Sequence, residues 1–596
     1  MKEGFRQCMA WLHTWTGLVV GWILFFVFLT GTTGYVTTEL DRWMAPELPL
    51  RSTTMVPADT QLNYAYNYLN QHDEAKNAVR WTISLQSDNR DQKDLHVGWM
   101  MPPGEGERYG KFDEAQLDSH TGQPYAGDVK PRATGGGTAL YTLHYTLHYI
   151  PYDWGIRIVG ICAMFMFVAI ITGIITHKKI FKDFFTFRGG KGQRSWLDAH
   201  NVLGVIALPF HIMITYSGLL FFLNAYMPLG VPSVYGFGSE NEQRYYAAVY
   251  PEYYDPDQPK DSQTIALSKY APTQDQIKTI IAKSEQYWGK DQIFYISIDS
   301  ATQYMPLKVI LNRERGHDLN RGSANLTYFV ADDGRITAKE KYDKPVARTV
   351  ADTFLGLHVG YFATPFLRLM YVITGLIGTA MIATGLVLWT VKRRPKQIKA
   401  GKMTKAHSLV ERLNIGMITG LSLGIAVYFW ANRLLPVEMT DRAAWEMHAL
   451  FLSILFAFIY AYLRPIARAW FELLSLTALA YLLLPIVNAL TTKMNLLSTA
   501  QAGDWALFSI DLGFFMVGLI FVASSYFVWK KRHAILTAPT KKLAGNTVTD
   551  SKASNKKSSE KKVSNKQSST ATQSVSTEQM IKEDELNAPN NDAGQV

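Results

Sequence analysis

Cysteine is nearly missing from this chain: two in 596 residues, Cys8 and Cys162, each near or within an apolar stretch. That excludes a disulfide framework and any cysteine-rich metal site. No C-x-x-C-H occurs, so any haem would be non-covalent. No G-x-G-x-x-G follows a strand pattern, and neither a Walker A loop nor an H-E-x-x-H is present. The chain therefore has no evident nicotinamide, nucleotide or zinc-protease site of its own. Carboxylates are almost absent from the first four apolar runs. Metal-ion pathways usually add carboxylates or thiolates to histidine near the midplane, so a transport role is poorly supported.

What is abundant is apolar and aromatic. Hydrophobic residues make up 48%, with 15 Trp, 31 Tyr and 30 Phe, and they are segregated into long runs between polar blocks. This pattern fits an α-helical integral membrane protein with sizeable water-facing parts. The net charge of +10 comes from Lys and Arg beside the apolar runs, which argues against a nucleic-acid partner. The first run, "GLVVGWILFFVFLTGTTGYV" (17–36), has no small-residue cleavage site at its end and reads as a retained first helix. Eight spans are expected at about 13–36, 154–177, 199–223, 366–390, 413–435, 445–463, 469–490 and 506–529.

Basic residues fix the expected orientation. They crowd the loops 178–194 and 391–412, flank 464–468 and follow the last span at 530–532. All fall on one side, which the positive-inside rule makes cytoplasmic, with both termini there. A bacterial inner membrane is the expected location. Two polar segments on the other side each read as a helix followed by strands. One holds "DTQLNYAYNYLNQ", "VRWTISLQ", "DLHVGWMM" and "KFDEAQLD"; the other holds "TQDQIKTIIAKSEQYWG", "QIFYISID", "MPLKVILN" and "LTYFVAD".

The spans repeat as well. His13, Gly17 and Gly31 in the first share the H-x3-G-x13-G spacing of His200, Gly204 and Gly218 in the third. "LHYIPYDWGIRIVG…IITGIITHKK" likewise matches "LHVGYFATPFLRLMY…IATGLVLWTVKRR", which sets His148 against His358. A unit of helix, external α+β module and helix is thus repeated once in parallel. The expected domains are a first span (1–37), module 1 (38–143), spans two and three (144–223), module 2 (224–357), span four (358–395), an accessory four-helix membrane domain (396–536) and a disordered cytoplasmic tail (537–596).

The candidate site lies in the histidines of the repeat. On a straight helix, eleven residues advance about 16 Å and return to within about 20° of the same face. His200 and His211 should then share a face at two depths, one for each of two cofactors. His13 and His177 lie at the cytoplasmic level with His200; His144, His148 and His358 lie at the external level. Neutral imidazoles from facing helices are the ligand set of a b-type haem. Glycines such as Gly17, Gly31, Gly173, Gly204, Gly218 and Gly378 would leave room for a porphyrin, though helix packing uses small residues too. In the last four spans His448, near Glu446, reads as structural, and Asn414 and Asp511 are among the few other polar groups.

"LHTWTGLVVGWILFFVFLTGTTGYV", "LDAHNVLGVIALPFHIMITYSGLLFF", "LHYTLHY" and "LHVGYFATPFLRLMYVITGLIGTAMIATGLVLW" resemble the PepSY-associated transmembrane family, over about residues 1–395. "HTGQPYAG" is similar to the turn that closes a PepSY module. The resemblance implies two periplasmic PepSY-like modules over a four-helix core that bears two b haems, and a role in reducing ferric siderophores. The expected path admits an electron from an unknown donor, a quinol or a cytoplasmic reductase. It enters at a haem held by some pair among His13, His177 and His200. It passes to one held by His211 with His148 or His358, and then to a ferric siderophore or other ferric chelate. The alternatives are a non-enzymatic PepSY membrane protein that binds a peptide, chelate or partner, and a carrier for iron chelates. No catalytic residue is assigned.

Overall fold

The computed structural model describes residues 3–536 apart from 49, 51–53, 87–93, 103–109, 126–130, 178–188, 190–191, 250–271, 291, 301–306, 314–318, 320–324, 332, 340–344 and 402. The expected tail (537–596) and most of the basic loop 178–194 lie outside the described residues. The first apolar run forms α1 (Glu3–Thr33), which passes through a single 3-10 turn into α2 (Thr37–Met44). The first polar segment follows as α3 (Ala58–Gln71), then β1 (Arg80–Ser84), β2 (Leu95–Met100) and β3 (Phe112–Leu117). A short helix α4 (Gly136–Thr146) leads into the second span, α5 (Tyr152–Thr176).

The third span is not one straight helix. It is α6 (Gln193–Ile206) and α7 (Leu208–Phe221), bent by 68°. Pro209 explains the break: it has no N–H to give and its ring crowds the carbonyl four residues back, so the helix is interrupted at Ala207. The chain restarts with the His211 N–H on the Ala207 carbonyl at 2.8 Å. The expectation that His200 and His211 line one straight face is therefore corrected.

The second polar segment supplies α8 (Gln274–Trp288), β4 (Ile293–Asp299), β5 (Leu307–Arg313), β6 (Asn325–Val330) and β7 (Ile336–Lys339). Thr273 and Gln276 close a reciprocal capping box at the start of α8. Then come α9 (Val346–Val359) and the fourth span, α10 (Pro365–Lys399). The two modules share one seven-stranded antiparallel sheet in the order β3-β2-β1-β4-β5-β6-β7. They meet where β1 pairs with β4, Thr82 opposite Ser297 and Arg80 opposite Asp299. Antiparallel pairing of equivalent strands is what a local two-fold relating the repeats produces. Trp81, Ile83, Val97, Ile296, Ile298 and Val309 pack one face of the sheet against α3 and α8. The two modules therefore have a common core rather than one each.

The last four spans are α11 (Lys405–Leu434), α12 (Arg442–Leu463), α13 (Ile466–Thr491) and α14 (Trp505–Leu536). Among the described residues seven helices are long and apolar enough to cross a membrane, or eight with the bent pair counted as one. The apolar stretch of α11 is 78% buried, and its Asn414 reaches both Trp22 of α1 (2.9 Å) and the Leu386 carbonyl of α10 (3.0 Å). At the end nearest the sheet the two halves join through buried ionised and polar groups. Arg42 of the first half pairs with Asp504 of the second, Thr134 donates to Glu446 (2.6 Å) and Arg442 donates to the Ala133 carbonyl (2.9 Å), while Arg132–Glu47 (2.6 Å) and Arg442–Glu446 (2.5 Å) are pairs within one half each. Asp511 accepts from Trp43 Nε1 at 3.0 Å, and the Arg433 guanidinium lies 3.5 Å from the centre of the Trp43 indole ring.

Candidate functional site

The repeat brings four of the seven candidate histidines together as two pairs. At the basic end of the core, His13 of α1 faces His200 of α6, with ring centres 6.2 Å apart. At the sheet end, His144 of α4 faces His358 of α9 at 6.1 Å. Each pair joins equivalent positions of the two repeats. From His13 to Val27, whose carbonyl touches His144, is fourteen residues of α1, about 21 Å of helix.

Each ring is fixed from behind. His13 Nδ1 lies 2.8 Å from the Ala169 carbonyl, and His200 Nδ1 lies 2.9 Å from that of Met381. His144 Nδ1 meets the Val27 carbonyl at 2.7 Å. A carbonyl only accepts, so in all three the proton sits on Nδ1 and the Nε2 lone pair is left for another partner. His358 Nδ1 is 2.9 Å from Ser217 Oγ, whose own hydrogen goes to the Met213 carbonyl at 2.6 Å; it too must donate. Burial holds the His144 imidazole below its ordinary titration range against the opposing pull of the Val27 carbonyl. It is therefore neutral at pH 7, the form that ligates.

Glycines on facing helices make room for these rings. A Cβ on Gly31 would stand 2.5 Å from His144 Nδ1, and one on Gly218 would stand 3.2 Å from His358 Cε1. Gly173 and Gly385 back His13 and His200 in the same way, at 3.2 and 3.0 Å. The far glycine of each H-x3-G-x13-G motif thus accommodates a histidine from the end of the neighbouring polar segment. The near glycine, Gly17, has no atom within 4 Å of where its Cβ would be. Open space therefore lies one turn from His13.

The remaining candidates stand apart from these pairs. His211 is 1% exposed, with Nε2 buried and lacking a hydrogen-bond partner, between Phe28, Phe210 and Gly378. It is not joined to His358 or His148, as the expected outer site required. Helix α4 ends at Thr146, and Leu147, His148 and Tyr149 all take positive φ. His148 consequently leaves the face of His144 and stacks on Phe451 of α12, 5.4 Å away. Burial, and secondarily His448, holds its imidazole below the ordinary range. The repeat partner of His358 is therefore His144, not His148. His177 caps α5, its backbone N–H on the Gly173 carbonyl at 3.2 Å, and the His13–His200 pair forms without it. His448, expected to be structural, bonds the Tyr149 hydroxyl through Nδ1.

A second buried cluster escaped the sequence reading. His407, in the first turn of α11, is 2% exposed, stacks on Trp389 and lies 3.3 Å from Glu411. It was hidden because it stands in a basic, apparently solvated loop, although the i, i+4 spacing to Glu411 and i, i+7 spacing to Asn414 could have marked one helix face. Among the described residues no group of three or more His, Cys, Asp or Glu is placed to hold a bare metal ion. Each histidine pair offers at most two imidazole nitrogens.

The fold and these pairs define a class: a multi-pass helical membrane protein with a duplicated core, a shared α+β sheet at one end and repeat-related histidines at two levels. The chain belongs to the family described as PepSY-associated TM region, whose model matches residues 10–392. No curated protein matches it.

Proposed function

We propose that this protein is an inner-membrane b-type haem reductase that passes electrons across the bilayer to a ferric siderophore or similar ferric chelate, releasing Fe(II). The observation that carries the reading is the spacing of the two pairs. Two imidazoles that would share one haem iron need their ring centres at a separation of roughly 6 Å for both to reach it. Both pairs have that separation, 6.2 and 6.1 Å. Each ring also donates its other nitrogen to a fixed oxygen, the usual arrangement behind a ligating histidine.

A haem held between such a pair would supply one-electron redox chemistry, at a potential tuned by these histidines and their burial. His13 and His200 would hold the group at the basic end, and His144 and His358 the one at the sheet end. The Ala169, Met381 and Val27 carbonyls and Ser217 Oγ keep the ligating nitrogen unprotonated. Phe28 and Phe210 exclude water around His211, between the two levels. The basic residues beside the first pair support a cytoplasmic side for it, with the sheet end on the opposite side of the membrane. A siderophore's hard oxygen donors favour Fe(III), so reduction there weakens the chelate.

The test is a reduced-minus-oxidised spectrum of the purified protein, with haem quantified per chain. A split b-type signal from two haems is expected. A protein with no Soret band, even after haem is supplied during expression, overturns the reading.

A further inference from the structure

The buried cluster at the start of α11 is poorly satisfied by the protein itself. His407 Nδ1 and Nε2, Glu411 Oε2 and Trp389 Nε1 are all buried without a hydrogen-bond partner. The 3.3 Å approach of His407 Nε2 to Glu411 Oε1 is not aligned as a hydrogen bond. Buried polar atoms are rarely left so, and four in one place point to something that completes them. They comprise acceptors, a donor and a flat aromatic wall, since Trp389 stacks on His407 with ring centres 6.2 Å apart.

Two features bear on what fits. Trp389 meets Trp15 edge to face at 6.3 Å, and Trp15 is 41% exposed on the apolar span α1. The approach is therefore from the lipid side, past aromatic edges and under the Arg393 guanidinium 4.0 Å from the centre of the Trp389 ring, which suits an apolar carrier with polar oxygens better than a water-soluble one. The cluster also adjoins the His13–His200 pair. Trp389 is one helical turn from Gly385, which backs His200, and Asn414 bonds the Leu386 carbonyl beside it.

We propose that His407, Glu411 and Trp389 form the binding site of a membrane quinol, the electron donor of this protein. The proposal rests on the haem reading above. A quinol offers two hydroxyls to the acceptors His407 and Glu411, and its quinone form accepts from Trp389 Nε1. On oxidation both O–H bonds break. One proton goes to His407 and one to the Glu411 carboxylate, which Arg394, 23% exposed, connects to the basic end at 2.5 Å. Two electrons leave one at a time toward the His13–His200 pair, and two ferric chelates are each reduced by one electron. The accessory half thereby supplies the reductant that the repeated core lacks.

The experiment uses the full chain in lipid nanodiscs. Calorimetry measures binding of decylubiquinone and of a short-chain menaquinone to the wild type and to His407→Gln, Glu411→Gln and Trp389→Phe. Saturable binding of at least one quinone is expected, weakened about tenfold by each substitution, as for losing one hydrogen bond to a buried group. In parallel, each protein is treated with dithionite and with the matching quinol. Dithionite should reduce all four alike, and the quinol only the wild type at full rate. If neither quinone binds, or the variants bind as the wild type does, the cluster is a water-filled structural feature and the proposal falls. A missing dithionite spectrum would instead condemn the haem reading, and the calorimetry would still decide the site.

Discussion

At the scale of single residues, the strongest constraint is that each paired histidine is held by a different helix from the one that carries it. His144 rides on α4 yet is fixed by Val27 of α1, and His200 on α6 is fixed by Met381 of α10. Substitutions should therefore act in pairs. His144→Ala and His358→Ala should each remove the same spectral component, and His13→Ala and His200→Ala the other, read as haem per chain and band position. His148→Ala should leave both components in place. Gly31→Leu should mimic His144→Ala, because a side chain there enters the space of the imidazole, whereas Gly17→Ala, with open space around it, should be tolerated in the same assay. His211 was singled out by its depth in the sequence, but depth could not say which partner it met. The answer depended on a proline two residues before it.

At the scale of elements, the shared sheet makes the two modules a single folding unit. Ile83 and Ile296 face each other across the β1–β4 seam, both fully buried. Ile83→Ala should cost roughly 2–5 kcal/mol, the usual range for emptying a core isoleucine site. It should loosen both modules together, seen as parallel gains in proteolysis of residues on either side of the seam. Asp299→Asn, which breaks the ion pair with Arg80, should cost less than about 1 kcal/mol because the pair is partly in water. The strands themselves were legible from alternation and turn residues, and six of the seven were anticipated. Their union was not, since no pattern within one strand names its neighbour across more than two hundred residues.

At the scale of the whole described chain, the repeated core and the accessory bundle are joined by charges that would be costly apart. Glu446 is fully buried and takes contacts from Arg442, Asn432 (2.8 Å) and Thr134 (2.6 Å). Glu446→Ala leaves the Arg442 cation unpaired and should cost about 3–5 kcal/mol, measured as loss of thermal stability in detergent. The double change Arg442→Met with Glu446→Leu should recover much of that loss, because it removes both desolvated charges. Asn414 adds a link deep in the bundle, tying α11 to α1 and α10. These joints make the accessory half a fixed wall of the core.

The sequence by itself determined the spans, the side on which basic residues gather, the duplication and the candidate histidines. Those follow from hydrophobic length, charge asymmetry and repeated spacing, which are local properties of the chain. Tertiary structure decided which histidine meets which, that the modules share a sheet, that the third span bends, and that His407 and Glu411 are buried. Each of these depends on contacts between segments far apart in sequence. The H-x3-G-x13-G motif was visible from the start, but only packing showed that its second glycine makes room for a histidine from another helix.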